Sequence, residues 1–306
     1  MIAEPPYGSA LAVLWDQMPP MDKGSRQMSD NAAAKTSQDA ASLPVGALRD
    51  RICLLTGGGG DIGTASALAF ARAGAKVVVT DSRSDAAEKT ADLIRRHDGD
   101  AISIPLDVLD EGAVEAAVDR TVQHFGAIDV LFNLAGDTVV MKSVDCPIDD
   151  FDRVLRLNVT GQFLTARAAA RRMIARGRGG SIINMSSILG YGGIPRRAAY
   201  SASRAAMINL TRTLAIEWAL DGIRVNCVAP GWTMTRSLEA LIDAGTVDLG
   251  PLVERTPMGR LPVVDEVADV ALFLASDASR MVTGVTIPID GGVTAYMGPG
   301  GKPSLA

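Results

Sequence analysis

Four polar residues in the middle of the sequence could form a general acid/base site. Tyr200 and Arg204 are four residues apart at the start of a helical pattern, so we expect them on one face of a helix. Ser186 and Ser187 end an apolar, strand-like run, and a glycine-rich loop separates them from the tyrosine. A neighbouring cation lowers the pKa of a phenol, and a phenol with a lowered pKa can exchange a proton with a substrate. The stretch 181–207 therefore predicts acid/base chemistry centred on Tyr200.

The elements that must position these residues begin at Arg51, where apolar and amphipathic segments start to alternate. Strand-like runs fall at 52–55, 76–80, 101–106, 128–133, 181–185, 224–228 and 285–289. Helical patterns fall between them, at 62–72, 86–97, 114–125, 151–175, 202–220 and 264–274. This alternation predicts an α/β fold, a doubly wound parallel sheet of seven strands with helices on both faces. Ligands bind such sheets at the carboxyl ends of the strands.

Composition argues against several classes of function. The chain of 306 residues has a net charge of −5, which does not favour nucleic-acid binding. No apolar run is long enough to cross a bilayer, so we expect no membrane partner. Two histidines, three scattered cysteines and no CxxC motif give a metal site little support. Cys53 and Cys227 lie in apolar runs, so we expect reduced, buried thiols and a cytoplasmic protein.

Residues 1–47 differ from the rest of the chain. Paired prolines and a stretch rich in Ala, Ser, Asp and Lys show no sustained periodicity, which predicts a poorly ordered extension. The alternative is an arm whose apolar patch, residues 11–15, docks on a neighbouring subunit. We expect residues 48–306 to form a single domain.

A glycine-rich turn follows the first predicted strand, with the sequence TGGGGDIG at 56–63. Such a turn lets backbone N–H groups and a helix N-terminus approach a pyrophosphate, although an ordinary glycine turn has a similar sequence. Asp81 ends the second strand, where a carboxylate can bind the adenosine ribose and repel a 2′-phosphate. The repulsion favours NAD over NADP, although Arg83 is close enough to soften this preference. The alternative is that Asp81 caps the following helix. Asp107 ends the third strand. Its side chain could lie beside the adenine of the cofactor, or it could belong to a plain turn.

The order of these motifs resembles the short-chain dehydrogenase/reductase family, in its shorter single-domain branch, over residues 48–292. The TGxxxGxG turn of the family is matched by Thr56, Gly57 and Gly63, with Asp61 in place of the middle glycine. An aspartate there can cap the helix but brings negative charge towards the phosphates. The family sequence NNAG reads NLAG at 133–136, and PGWTMT at 230–235 matches the loop that holds the nicotinamide carboxamide.

The resemblance also implies the roles of individual residues. The helix matched at 157–163 supplies a catalytic Asn158, and the serine–tyrosine spacing of the family selects Ser187 rather than Ser186. The catalytic set is Asn158, Ser187, Tyr200 and Arg204. The cofactor-binding set, from a Rossmann-type domain, is Gly57, Gly60, Asp61, Ile62, Gly63, Asp81, Asp107, Val108, Asn133, Ala135, Gly136, Tyr200, Arg204, Pro230, Gly231, Thr233 and Thr235.

One catalytic position departs from the family pattern. Where the family has YxxxK, the sequence has Tyr200 and Arg204, so a lysine is replaced by arginine. Arginine keeps the positive charge and the hydrogen-bond donors, but it is larger, planar and does not deprotonate. The expected function is NAD-dependent interconversion of a secondary alcohol and a ketone. The alternative is a catalytically impaired dinucleotide-binding or scaffold protein on the same fold.

Other reactions of related folds fit less well. Epimerases and dehydratases of the extended branch usually carry a C-terminal substrate domain, and methyltransferase chemistry does not call for Tyr200 and Ser187 at this spacing. The resemblance further implies a homotetramer or homodimer built on the helices at 151–175 and 202–220.

The substrate pocket is expected from three segments, 137–140, 189–197 and 236–255, with Tyr191, Ile194 and Trp232 giving it an apolar character. The last segment resembles a mobile lid with Gly245 and Gly250 as hinges. Arg196 and Arg197 could meet an anionic substrate, but two arginines in a surface loop are more often solvated.

Overall fold

Seven short apolar segments pair as parallel strands in the computed structural model, which describes residues 46–296. The strands are β1 (Ile52–Thr56), β2 (Lys76–Asp81), β3 (Ala101–Pro105), β4 (Val130–Asn133), β5 (Gly180–Met185), β6 (Ile223–Pro230) and β7 (Thr286–Ile289). Their order in the sheet is β3-β2-β1-β4-β5-β6-β7. The predicted doubly wound, Rossmann-like α/β fold is therefore confirmed.

The strand order reverses between β1 and β4, which pair directly. Thr56 lies opposite Asn133, so these two strands end side by side. A crevice opens beyond the carboxyl ends of the strands at such a reversal, and ligands of open α/β sheets bind there. The predicted motifs follow β1 to β6 at this same edge, which brings them together although they are far apart in the sequence.

Nine α-helices connect and cover the strands within the described residues. They are α1 (Asp61–Arg72), α2 (Ser84–Arg95), α3 (Glu111–Phe125), α4 (Ile148–Leu155), α5 (Gln162–Arg176), α6 (Ala198–Glu217), α7 (Arg236–Asp243), α8 (Leu249–Glu254) and α9 (Val264–Ala275). The helix predicted over 151–175 is divided, because a π-helical turn at Arg156–Gly161 separates α4 from α5. π-Turns within helices occur frequently at functional sites.

Alternate residues of each strand enter two separate cores. In β1, Cys53 and Leu55 face the core formed with α1, α2 and α9, whereas Leu54 faces the core formed with α3, α5 and α6. Phe70 of α1 stacks on Phe132 of β4, with 6.3 Å between ring centroids. Burial on both faces explains why the central strands are largely apolar rather than alternating.

A third, smaller apolar cluster holds α7 and α8 over the carboxyl edge of the sheet. Leu238 and Val247 are buried in it, and Trp232 packs against them. Gly245 lies between the two helices with φ +68°, a conformation that side chains disfavour. Gly250, in contrast, lies in the first turn of α8, so it does not occupy a hinge position between elements.

Several expectations concern residues outside 46–296. The proposed extension or arm at 1–47 lies outside the described residues, apart from its last two positions, as do residues 297–306. Among the described residues, no helix has the length and apolar character needed to cross a membrane. That part of the chain also contains no group of three or more potential metal ligands. Cys53 and Cys227 are buried, and burial raises the pKa of the Cys227 thiol to about 12.

Candidate active site

The turn after β1 is a tight cradle of backbone. Gly57 has φ +63°, and a Cβ atom there would lie 2.8 Å from the Ala135 backbone nitrogen. A Cβ on Gly63 would lie 2.5 Å from the Gly57 carbonyl oxygen. Helix α1 begins at once, and its N-cap residue Gly60 has no side chain to cap the helix. The N-terminal N–H groups of α1 are therefore available to an anion, and the turn fits the pyrophosphate of a dinucleotide.

Asp61 does not act as the helix cap that its position suggested. Its carboxylate accepts hydrogen bonds from the backbone N–H of Arg236 (2.8 Å) and from the Arg236 side-chain Nε (2.5 Å). The side chain of Asp61 is only 15% exposed in this ion pair. The negative charge expected to face the phosphates is thus partly balanced by an arginine, and the pair joins α1 to α7. Ile62, the next residue, packs against the apolar core.

Asp81 lies at the end of β2, beside the glycine-rich turn. Its Oδ2 accepts a hydrogen bond from the Gly59 backbone N–H at 3.2 Å, and its Oδ1 accepts one from the Arg83 backbone N–H at 3.0 Å. A Cβ on Gly59 would lie 2.6 Å from the Ala86 Cβ and 2.8 Å from the Ala86 backbone carbonyl carbon, so glycine is needed at this position. The Arg83 side chain pairs with the same carboxylate at 3.4 Å and is 66% exposed. The carboxylate therefore faces the turn rather than capping α2.

The residues after β3 have different environments. Asp107 is exposed, and its carboxylate accepts a hydrogen bond from the Leu109 backbone N–H at 2.9 Å, the pattern of a turn-forming aspartate. Val108 is buried against the π-helical turn, where a Cβ on Gly161 would come within 2.7 Å of a Val108 methyl group. The Val108 side chain thus packs in the interior.

Asn133 has a structural role that differs from its predicted contact with cofactor. Its side chain is fully buried, and Nδ2 donates to the Gln162 carbonyl (3.1 Å) and to Asn184 Oδ1 (3.0 Å). Its Oδ1 accepts a hydrogen bond from Thr165 Oγ1 at 2.6 Å. This network joins β4, β5 and α5, so the amide supports the strands rather than reaching the crevice. At Leu134, where the family has a second asparagine, the backbone N–H bonds to Thr56.

Asn158 lies in the π-helical turn and is fully buried. Its Oδ1 accepts from the Asp137 N–H at 2.8 Å, while Nδ2 donates to the Asp137 carbonyl and to Ser203 Oγ, both at 2.9 Å. Ser203 in turn donates to the Tyr200 carbonyl at 2.7 Å. Both amide protons of Asn158 are therefore used within the protein, so the side chain has none left to donate to a water.

The two serines after β5 have separate partners. Ser186 is buried and donates to the Arg204 carbonyl at 2.8 Å. Ser187 instead lines the crevice beside Tyr200. The position of Ser187 beside Tyr200 agrees with the serine–tyrosine spacing of the family, which pointed to Ser187 rather than Ser186.

Tyr200 and Arg204 lie on one face of α6, as predicted. The guanidinium carbon of Arg204 is 4.8 Å from the centre of the Tyr200 ring. Burial alone would raise the pKa of the Tyr200 phenol, but the charge and hydrogen bond of Arg204 lower it below its ordinary value, with help from Ser187 and Arg197. Arg204 is itself 5% exposed and donates from Nη1 to the Met185 carbonyl at 2.8 Å.

Gly136 explains how the bulky guanidinium is accommodated. A Cβ at this position would lie 2.8 Å from Arg204 Nη2 and 2.9 Å from Asn158 Oδ1. Glycine is thus needed where β4 leads into the site. After β6, Gly231 lines the crevice. Thr233 Oγ1 donates to the Gly231 carbonyl at 3.2 Å, and Thr235 Oγ1 caps α7 by accepting from the Leu238 N–H at 3.2 Å.

These residues border one cleft of about 770 Å³. All three segments expected to form the substrate pocket contribute to it. Its lining residues are Gly136, Asp137, Thr138, Ser187, Ile188, Leu189, Ile194, Arg197, Tyr200, Arg204, Gly231, Trp232, Ser237, Ala240 and Leu241.

Two expectations about the pocket were wrong. Tyr191 does not line the cleft: it is 47% exposed, and its hydroxyl donates to the Thr286 carbonyl at 3.3 Å. Arg197 is not a solvated surface arginine, because it is 6% exposed and borders the cleft. The loop before α6 folds inward, which periodicity could not show.

Comparison with known proteins places this architecture in a family. The family model described as enoyl-(acyl carrier protein) reductase matches residues 59–294. The chain belongs to the short-chain dehydrogenase/reductase family. It is therefore an oxidoreductase, and the dehydrogenases among its relatives imply a small-molecule substrate.

Individual relatives of this short-chain dehydrogenase/reductase are similar over most of their length. A cis-4-hydroxycyclohexanecarboxylate dehydrogenase of Sinomonas cyclohexanicum is 38% identical over 255 residues, 81% of this chain and 98% of the relative. The crystal structure of a gluconate 5-dehydrogenase from Burkholderia cenocepacia, in complex with NADP and tartrate, has a TM-score of 0.77 and 38% identity, covering 82% of this chain and 97% of its own. The crystal structure of an NAD⁺-bound xylitol dehydrogenase has a TM-score of 0.74 and 36% identity, covering 80% of this chain and 99% of its own. Nicotinamide dinucleotides thus bind to structures of this family.

Three features of the site were not predicted from the sequence. Arg236 is far from Asp61 along the chain, and Ser203 has the same spacing from Tyr200 as many helical residues. Arg153 pairs with Asp137 beside the cleft through a contact between distant segments. A serine one turn after the tyrosine is the only one of these that helical spacing could have suggested.

Proposed function

We propose that this protein is an NAD-dependent oxidoreductase that interconverts a secondary alcohol and a ketone. The observation that carries the proposal is the position of Tyr200, whose phenol lies beside Arg204 and Ser187 in a cleft that adjoins the glycine-rich turn. Relatives support it, because one is named for a hydroxycyclohexanecarboxylate and another for xylitol, both of which carry secondary hydroxyl groups.

In the proposed reaction, Tyr200 exchanges the proton of the substrate hydroxyl. The lowered pKa of its phenol favours the phenolate, which accepts that proton during alcohol oxidation. Arg204 stabilises the phenolate by its charge and does not take part in proton transfer itself, because a guanidinium does not deprotonate. Ser187 donates a hydrogen bond to the substrate oxygen and orients it. Asn158 keeps this arrangement in place through Asp137 and Ser203.

The residues that would hold the cofactor line the carboxyl ends of β1, β2, β4 and β6. The backbone of Gly57, Gly60 and Gly63 suits the pyrophosphate, and Asp81 suits the adenosine ribose. The buried carboxylate of Asp81 supports NAD rather than NADP, since it would repel a 2′-phosphate. When bound, the nicotinamide supplies the chemistry of hydride acceptance and donation.

A panel of secondary alcohols, assayed for reduction of NAD and of NADP, tests this proposal. We expect turnover with at least one alcohol and NAD, and at least about tenfold lower kcat/KM with NADP. NADH binding without turnover of any alcohol would instead favour the scaffold alternative, in which Arg204 has impaired the site.

We also propose a homodimer or homotetramer. Ile148 at the start of α4 is 68% exposed and Ile216 near the end of α6 is 77% exposed, so these helices present apolar side chains. Light scattering after size-exclusion chromatography measures the assembly directly. A mass corresponding to one chain would contradict the proposal.

A further inference from the structure

Arg197 is a buried cation at the wall of the cleft. It precedes the first residue of α6, is 6% exposed, and donates from Nη1 to Thr138 Oγ1 at 2.6 Å. Its Nε is also buried but has no hydrogen-bond partner. A buried guanidinium with an unsatisfied donor is costly, since charged groups removed from water need a counter-ion or full hydrogen bonding.

The charges around the cleft do not balance. Its charged lining residues are Arg197, Arg204 and Asp137. Asp137 pairs with Arg153 and accepts a hydrogen bond from the Thr138 N–H, so its charge is already compensated. Within residues 46–296, no carboxylate forms an ion pair with Arg197. Burial lowers the pKa of Arg197, while the charge of the Tyr200 phenolate acts in the opposite direction.

We infer that Arg197 determines specificity by binding a carboxylate of the substrate, so that the alcohol is a hydroxy acid and the ketone a keto acid. This inference rests on the proposed function and narrows its substrate class. A guanidinium matches both the charge and the hydrogen-bond geometry of a carboxylate. A monoanion is favoured over a phosphate dianion because the cleft also has apolar walls, including Ile194 and Trp232.

The position of Arg197 also constrains the shape of the substrate. Arg197 is the N-cap residue of α6 and its guanidinium is held by Thr138, whereas Tyr200 lies within the helix beside Arg204, so the two groups occupy different parts of the cleft wall. The carboxylate bound by Arg197 and the hydroxyl that meets Tyr200 are therefore separated by several bonds. A carboxylate next to the carbinol carbon fits this spacing poorly.

Substrate pairs that differ only in charge test the inference. The probes are 2-, 3- and 4-hydroxypentanoate and their methyl esters, oxidised with NAD by the full-length protein. We expect the best acid, with the hydroxyl at position 3 or 4, to exceed its ester at least tenfold in kcat/KM. In Arg197→Gln, this acid-to-ester ratio falls at least tenfold, mainly through KM of the acid, while Arg197→Lys retains part of it. The surface variant Arg120→Gln is the matched control and keeps the ratio of the parent.

The ratio separates recognition from a structural role of Arg197. A loss of stability would lower the rates with acid and ester together, whereas loss of a carboxylate contact lowers only the rate with the acid. Equal rates with acid and ester in the parent, or an unaltered ratio in Arg197→Gln, would overturn the inference and leave the proposed function standing.

Binding of pentanoate, measured calorimetrically in the presence of NAD, gives a readout independent of turnover. We expect binding by the parent and at least tenfold weaker binding by Arg197→Gln. This result together with no alcohol oxidation would support the carboxylate site while refuting the dehydrogenase function. Equal affinity of the two proteins, or no binding by the parent, would overturn the inference.

Discussion

Asp61 and Arg236 connect the two sides of the cofactor crevice. Asp61 begins α1 directly after the glycine-rich turn, and Arg236 begins α7 above the cleft, yet their charged groups lie 2.5 Å apart. The backbone N–H of Arg236 adds a second hydrogen bond at 2.8 Å. The aspartate that replaces a glycine of the family pattern is thus matched by an arginine 175 residues further along the chain.

Removal of Arg236 should weaken cofactor binding. In Arg236→Gln, the Asp61 carboxylate beside the pyrophosphate site loses the positive charge that balances it, so KM for NAD should rise about three- to tenfold, more at low salt than at high salt. The double variant with Asp61→Gly should recover most of this loss. Steady-state kinetics with varied NAD measures the effect, and Arg120→Gln is the control. An unchanged KM in Arg236→Gln would show that the carboxylate does not act on the cofactor.

Asp81 should set the preference between the two dinucleotides. Asp81→Ser removes the charge that would repel a 2′-phosphate, so the NAD-to-NADP ratio of kcat/KM should fall at least about tenfold. Asp98→Asn is the matched control, because Asp98 is an exposed turn residue outside the predicted cofactor-binding set, and it should leave the ratio within twofold. Equal shifts in both variants would contradict a specific role for Asp81.

The pH dependence of alcohol oxidation should report the environment of Tyr200. The phenolate is the active form, so the rate should rise with pH and level off above the lowered pKa of the phenol, below its ordinary value of about 10. Arg204→Gln removes the positive charge and leaves the effect of burial, which moves the rising limb of the pH profile to higher pH.

Arg204→Lys keeps the charge and restores the family residue, so it should be at least as active as the parent. An inactive lysine variant would mean that the pocket requires a guanidinium.

Asn133 should matter for stability more than for cofactor affinity. Asn133→Ala leaves the Gln162 carbonyl and Asn184 Oδ1 without their donor, which should lower the free energy of unfolding by about 3 kcal/mol. Urea denaturation measures this change. The exposed Asn209→Ala should change it by less than about 0.5 kcal/mol. A loss of stability in Asn133→Ala no larger than that of the control would contradict the role of Asn133 in supporting the strands.

Much of the fold followed from the sequence because its signals are local. Buried strands such as Val130–Asn133 are mostly apolar, and glycines end helices or form turns at predictable positions. The π-helical turn at Arg156–Gly161 was not predicted, since its residues continue the helical pattern on either side.

The site was predictable where its chemistry depends on spacing along one element. Tyr200 and Arg204 are an example, because one helix carries both. Contacts between distant segments were not predictable: Arg236 reaches Asp61, and Arg197 turns into the cleft to meet Thr138. The direction of a loop depends on packing that appears only when the sheet has formed, so a surface arginine and a buried one have the same sequence signature.

The most direct test of the proposed chemistry compares the parent with Tyr200→Phe. NADH formation is measured with the best alcohol of the panel, and NAD affinity is measured separately by calorimetry. We predict at least a thousandfold loss of kcat in the variant, with an NAD dissociation constant within about threefold of the parent. Substantial turnover by Tyr200→Phe, with NAD still bound, would contradict the role of Tyr200 as the general acid/base.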